Sequence, residues 1–209
     1  MAHIFSETTP QLEKLAELTK NASYIDPELY TQYDVKRGLR DVNGKGVLVG
    51  ITDISEVTSK RVINGVETPI DGELYYRGYS VPEIVKSLPA DSHCGFEECA
   101  YLLLFGNLPT KEELQEFMEL LAEFRSLPPN FVRDVIMKKT SKNMMNALQR
   151  GVLTLYSYDY KPDDTSETNV LRQCLQLIAN MPILSVYSYQ AYSHYYNDGS
   201  LIIHNPDPN

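Results

Sequence analysis

Between Asp71 and Thr110 the chain reads DGELYYRGYSVPEIV and then FEECAYLLLFGNLPT, a succession of turn, cap and apolar signals that leaves few folds open. A strand-like run from Glu73 to Tyr76 meets Gly78. Ser80 stands where it can cap a helix whose third residue is Glu83, and Pro82 falls in the first turn, where its missing N–H is harmless. Phe96 to Phe105 is apolar almost all round, which predicts a buried helix halted by Gly106. Asn107-Leu108-Pro109 supplies a turn, and Thr110 with Glu113 forms a second capping box. A small β element handing over to helices is the architecture these signals share.

Upstream, Leu12, Leu15 and Ala16 share one side of a short helix over residues 11–20, and Asp26-Pro27 permits a further helical turn ending near Lys36. Gly38, Gly44 and Gly46 make the next stretch irregular. Val47 to Ile54 is rich in β-branched residues and predicts a strand, Asn64-Gly65 a tight hairpin turn, and Asp71-Gly72 a second turn. Beyond Thr110 the pattern is helical nearly to Tyr196. Leu114, Phe117, Met118 and Leu121 recur at helical spacing, Pro128-Pro129 resets the chain, and Ser141 opens a helix in which Met144, Leu148, Gly151, Val152 and Leu155 share a face. After a polar break from Lys161 to Thr165, Leu171, Leu175, Ile178, Ile183, Val186 and Tyr187 carry an apolar stripe, with Pro182 predicting a kink or two abutting helices. Eight of the 15 tyrosines fall between Tyr156 and Tyr196, where an apolar ring with a polar tip suits a partly wetted helix interface. The fold class is mainly α, with a small antiparallel β element near residues 46–77 and a helical array over residues 80–196. Residues 1–45 form a helical and irregular lead.

A chain of 209 residues with a formal charge of -9 carries no broad cationic face for nucleic acid. Lys138, Lys139 and Lys142 are its clearest basic cluster and read as a solvated face. No run approaches the roughly 18 apolar residues that cross a bilayer, and MAHIFSETTP lacks a basic, then apolar, leader pattern. Cys94, Cys99 and Cys174 are an odd, widely spaced set, which fits a reducing compartment. The expected location is cytoplasmic, without membrane or nucleic-acid partners.

The chemistry-bearing side chains do not converge in sequence. Four histidines are available for acid–base or metal work, His3, His93, His194 and His204; His3 and His204 lie near the termini, and His93, Cys94 and Cys99 lack a fourth ligand for zinc. Glu97-Glu98, Glu112-Glu113 and Asp163-Asp164 are adjacent pairs, which on a helix point to different sides. Arg77, at the strand-to-helix switch beside Gly78, either anchors carbonyls and an acid or contacts a substrate. No catalytic, cofactor-binding or metal-ligating residue is assigned within the chain.

Five stretches, GVLVGITDIS at 46–55, ELYYRGYSVPEIV at 73–85, FEECAYLLLFGNLPTKEEL at 96–114, MNALQRGVLTL at 145–155 and LIANMPILSVYSYQ at 177–190, together resemble the citrate synthase family. Their order makes the resemblance to the N-terminal part of that family's large domain, so residues 1–209 are expected to be a fragment of a longer enzyme. One departure is Lys142-Asn143-Met144, where family members commonly read His-Pro-Met.

The resemblance implies a helical enzyme that closes over oxaloacetate and acetyl-CoA and condenses them with water to citrate and CoA, as in the tricarboxylic acid cycle. It also implies an aspartate base, histidines that stabilise the enol and polarise the carbonyl, and arginines for the dicarboxylate, all in motifs beyond position 209. The fragment itself is then inactive and binds no cofactor, and acetyl-CoA is a substrate of the full-length enzyme. A homodimer through the helical region 168–196 is implied as well. Two alternatives stay open: a 2-methylcitrate synthase using propionyl-CoA, and a non-catalytic helical interaction module.

Overall fold

The computed structural model describes residues 6–35, 49–88 and 95–204. Lys36, Gly38, Gly44, Gly46, Val47, His3, His93 and Cys94, named above, lie outside the described residues. The described chain is mainly helical with one three-stranded antiparallel sheet, and it divides into two compact units, Glu17–Leu114 and Met1–Ala16 with Gln115–Asn209. Helix α1 (Pro10–Ala22) starts where the Thr9 hydroxyl accepts from the Leu12 amide, and it buries the expected Leu12, Leu15 and Ala16. The short α2 (Glu28–Gln32) follows Asp26, whose carboxylate accepts from the Glu28 amide.

In the unit Glu17–Leu114, β1 (Ser55–Ile63) and β2 (Val66–Tyr76) form a hairpin, and β3 (Tyr79–Ser80) adds two residues on the far side of β2. Asn64 and Gly65 join β1 to β2 with φ of 52° and 80°, the pair of positive values that a two-residue hairpin turn requires. Two sequence expectations need correction here. Residues 49–54 are not strand, because Asp53 pairs with Arg77 and the Ile54 carbonyl accepts from the Arg77 amide, so this segment is tied to the arginine and not to a ladder. Asp71-Gly72 is not a turn: β2 runs through it, and the register shift between Thr58 and Lys60 absorbs the extra residues as a bulge.

Helix α3 (Val81–Ser87) carries Pro82 in its first turn, as expected, but the Ser80 side chain makes no capping bond. Ser80 is also the last residue of β3, paired with Tyr75, which fixes its backbone for the sheet instead. Helix α4 (Gly95–Phe105) buries only Tyr101, Leu102 and Phe105, and Phe96 is 64% exposed. Its apolar circumference therefore exceeds what this unit covers. The capping box before α5 (Lys111–Phe124) is reciprocal: Glu113 donates its amide to the Thr110 hydroxyl, and its carboxylate accepts from the Thr110 amide.

In the other unit, α5 buries Phe117, Leu120, Leu121 and Phe124. A six-residue π-helical segment, Val132–Met137, follows Pro128-Pro129. Helix α6 (Met144–Tyr156) is capped by Asn143, whose Oδ1 accepts from the Asn146 amide, and Ser141 instead accepts from the Asn143 amide. Helix α7 (Glu167–Tyr196) runs 30 residues through Pro182 as one element. Phe131, Ile136, Ile183, Leu184, Tyr187 and Ala191 form the core here, with Leu148, Val152 and Leu155 of α6 packed against it. Gly151 lets α6 approach closely, since a Cβ there would stand 3.2 Å from a Leu184 methyl.

Candidate functional site

Two arginines organise the polar interior, one in each unit. Arg77 sits with Gly78 in the two-residue turn between β2 and β3, both at positive φ (48° and 82°). Its side chain is only 5% exposed. From there the guanidinium donates to the Leu103 carbonyl through Nε and Nη2, to the Ala22 carbonyl at 2.8 Å, and to Asp53 Oδ1 at 2.7 Å. Leu103 and Ala22 lie in the last turns of α4 and α1, where carbonyls lack intrahelical donors and the helix dipole is negative. Arg77 thus caps two helix ends at once. The cleft beside it is lined by Asn21, Asp53, Gly78, Phe105 and Asn107.

Arg172, on α7, is fully buried, and its Nη2 pairs with Asp159 Oδ2 at 2.6 Å. Asn169 Oδ1 accepts from Nε and Nη2, and Gln176 Oε1 accepts from Nη1. Asp159 also accepts from Gln173, the Ser6 hydroxyl and the Lys161 amide. Burial alone would raise the Asp159 carboxyl, but the hydrogen bonds from Arg172, Gln173, Lys161 and Ser6 outweigh it and lower it to about 2. This network was not anticipated from sequence, where Asp159 stands two residues before the polar break at 161–165 and carries no assigned role. The signal available was Arg172 itself, a charge set immediately beside Leu171 in an apolar stripe.

The other sequence candidates stay apart. His194 Nδ1 lies 3.0 Å from the Gly199 carbonyl, which can only accept, so Nδ1 carries the proton. His204 contributes its backbone carbonyl to the Tyr187 hydroxyl. Cys99 is half-buried, and burial, then Glu98, raises its thiol above the ordinary value, so it is poorly suited to act as a thiolate. Asp163 accepts from the Tyr156 hydroxyl, while Asp164 accepts from the Ser166 amide and is lowered chiefly by that bond. Lys142 of the basic cluster lies over the Tyr196 ring, 5.2 Å from its centroid. Among the described residues, no group of three or more His, Cys, Asp or Glu side chains could hold a metal ion, and no helix is long and apolar enough to cross a membrane.

The family model "Citrate synthase, C-terminal domain" matches residues 38–207. The chain belongs to the citrate synthase family. That match also corrects the placement expected from sequence: the quoted motifs lie within the stretch matched by the family's C-terminal domain, so this chain is not the N-terminal part of the large domain. Among relatives of this citrate synthase family member, 2-methylcitrate synthase 1 of Corynebacterium glutamicum is 29% identical over 72% of the chain and 34% of its own length. Citrate synthase of Haloferax volcanii is 30% identical over 74% of the chain and 37% of its own length. The crystal structure of citrate synthase from Pyrobaculum aerophilum superimposes with a TM-score of 0.60 and 26% identity, covering 83% of this chain and 42% of that one. The chain therefore spans about a third of the length of these two curated relatives.

Proposed function

We propose that the protein serves the condensation of oxaloacetate with acetyl-CoA and water to citrate and CoA, in the cytoplasm, within the tricarboxylic acid cycle. The observation that carries this reading is the family match over residues 38–207, which the structural likeness to a citrate synthase supports. In it, the described residues act as scaffold: Arg77 and Arg172 are engaged with the protein's own carbonyls and side chains, and the acid–base groups come from elsewhere. A second reading, 2-methylcitrate synthesis from propionyl-CoA, is favoured by the 2-methylcitrate synthase relative. The two thioesters differ by one methylene, worth only about 1–3 kcal/mol of discrimination.

Release of CoA thiol tests these readings. Residues 1–209 alone are expected to give no turnover, and the natural polypeptide that contains them to favour acetyl-CoA over propionyl-CoA. Turnover by residues 1–209 alone would sink the scaffold role, and a propionyl-CoA preference the acetyl-CoA assignment. If neither thioester reacts with the natural polypeptide, the non-catalytic interaction module is the reading that stands.

Helix α7 supports a homodimer through residues 168–196. The side turned away from its buried residues exposes Val170, Leu177 and Met181 in its first half and Val186 and Tyr189 in its second. A helix apolar on both sides calls for cover on both. Val186→Asp is expected to shift the protein toward monomer in sedimentation velocity without altering its helical circular dichroism. An unchanged sedimentation coefficient across a dilution series would remove this helix from the interface.

A further inference from the structure

In the unit that contains α5 and α7, the loop after α5 and the start of the π-helical segment form a cleft of about 490 Å³ against α7. Leu127, Pro128, Val132, Ile183 and Tyr187 give it apolar walls, and Arg125 and Arg133 supply its charge. Ile183 and Tyr187 belong to the buried side of α7, so the cleft does not draw on the stripe assigned to the homodimer. The two arginines differ. Arg133 gives Nε and Nη2 to the two oxygens of Asp134, at 2.9 and 2.8 Å, and is neutralised by it. Arg125 is half-buried, makes no side-chain hydrogen bond or ion pair with any described residue, and has none of its nitrogens enclosed. An accessible guanidinium with its fork open, set beside apolar walls, is suited to a planar oxyanion.

We propose that this cleft binds a small monocarboxylate with an apolar body, its carboxylate on Arg125 and its body against Leu127, Val132 and Ile183. One free cation among the described walls selects one negative charge. A dianion such as a phosphate ester would find its second partner, Arg133, already held by Asp134, whose own charge opposes it. A bare anion would leave the apolar walls in water, so an apolar body adds to the binding. The volume falls within the roughly 300–1,000 Å³ of ordinary ligand pockets. Oxaloacetate and citrate carry two and three carboxylates and do not match this charge. The site is therefore separate from the condensation proposed above, and its failure would leave that reading untouched.

Benzoate, benzamide and acetate make the test: the first two share a ring and differ in charge, while benzoate and acetate share the charge and differ in the ring. Calorimetric titration of the intact chain is expected to show benzoate binding about tenfold more tightly than benzamide, the effect of a charge-assisted hydrogen bond, and more tightly than acetate. Arg125→Gln removes the cation without breaking a side-chain bond to any described residue. It should bring benzoate down to the affinity of benzamide and leave benzamide unchanged. Equal affinity for benzoate and benzamide would overturn the carboxylate assignment, and acetate binding as tightly as benzoate would overturn the apolar body. A benzoate preference that persists in a folded Arg125→Gln protein would place the anion elsewhere and defeat the proposal. Benzoate binding by residues 1–209, but not by the natural polypeptide that contains them, would identify the rest of that polypeptide as the occupant and also overturn it.

Discussion

Replacing Asp159 with alanine is expected to destabilise the unit containing α6 and α7 by about 3–5 kcal/mol, read as a fall in the urea midpoint at neutral pH. Arg172 is fully buried, and Asp159 is the carboxylate that compensates it. Removing the acid strands a cation where water cannot reach it, and that penalty outweighs any loss from the alanine itself. Asp159→Asn should fall between the two, since its amide oxygen still accepts one donor. A drop below about 1 kcal/mol for Asp159→Ala would mean that the pair is solvated in solution.

The same pair sets an acid limb. The Asp159 carboxyl lies at about 2 in the fold, against about 3.9 in an unfolded chain. A value depressed on folding contributes stability that is complete above about pH 4 and is lost as pH falls toward 2. Asp134 and Asp164 are also lowered, so wild type alone cannot isolate Asp159. The difference between wild type and Asp159→Ala can: it should narrow by about 2 kcal/mol between pH 5 and pH 2. Parallel curves would show that Asp159 does not titrate with the fold.

Local signals in the sequence survive into the structure where they involve residues only a few positions apart. Asn64-Gly65 forms its hairpin turn and Thr110 with Glu113 forms its capping box, because each depends on backbone groups within four residues. Signals that depend on distant partners mislead. Val47 to Ile54 has strand composition, yet Asp53 and Ile54 are claimed by Arg77, 24 and 23 positions later. The all-round apolar α4 reads as buried, yet a helix is buried only if enough neighbours surround it, and Phe96 stays exposed. The Asp159–Arg172 pair joins a residue just ahead of the polar break to an apolar stripe, and the linking geometry exists only after α7 docks. Motif order identified the family for the same reason that it misplaced the chain within it: order along a sequence records relatedness, not which part of a relative is spanned.

Arg77 offers the sharper test of how the β element is joined to helix ends, because its backbone and side chain pull in opposite directions. At φ of 48°, an arginine is disfavoured relative to asparagine, which tolerates the left-handed region. Arg77→Asn therefore relieves the turn while removing the guanidinium, and Arg77→Ala removes the guanidinium without relieving the turn. Bonds to the Leu103 and Ala22 carbonyls carry most of the weight, because Asp53 is 59% exposed and its ion pair is screened. With roughly 1.5–3 kcal/mol for each charge-assisted bond, discounted for water reaching the freed carbonyls, Arg77→Asn should cost about 3 kcal/mol and Arg77→Ala about 4. Arg77→Lys should recover less than half, since an ammonium cannot reproduce the planar fork that reaches both helix ends. Denaturant midpoints of the three variants decide the matter. If Arg77→Asn is as stable as wild type, the guanidinium is dispensable to the fold, and the cleft lined by Asn21, Asp53 and Asn107 becomes the place to look for what it binds.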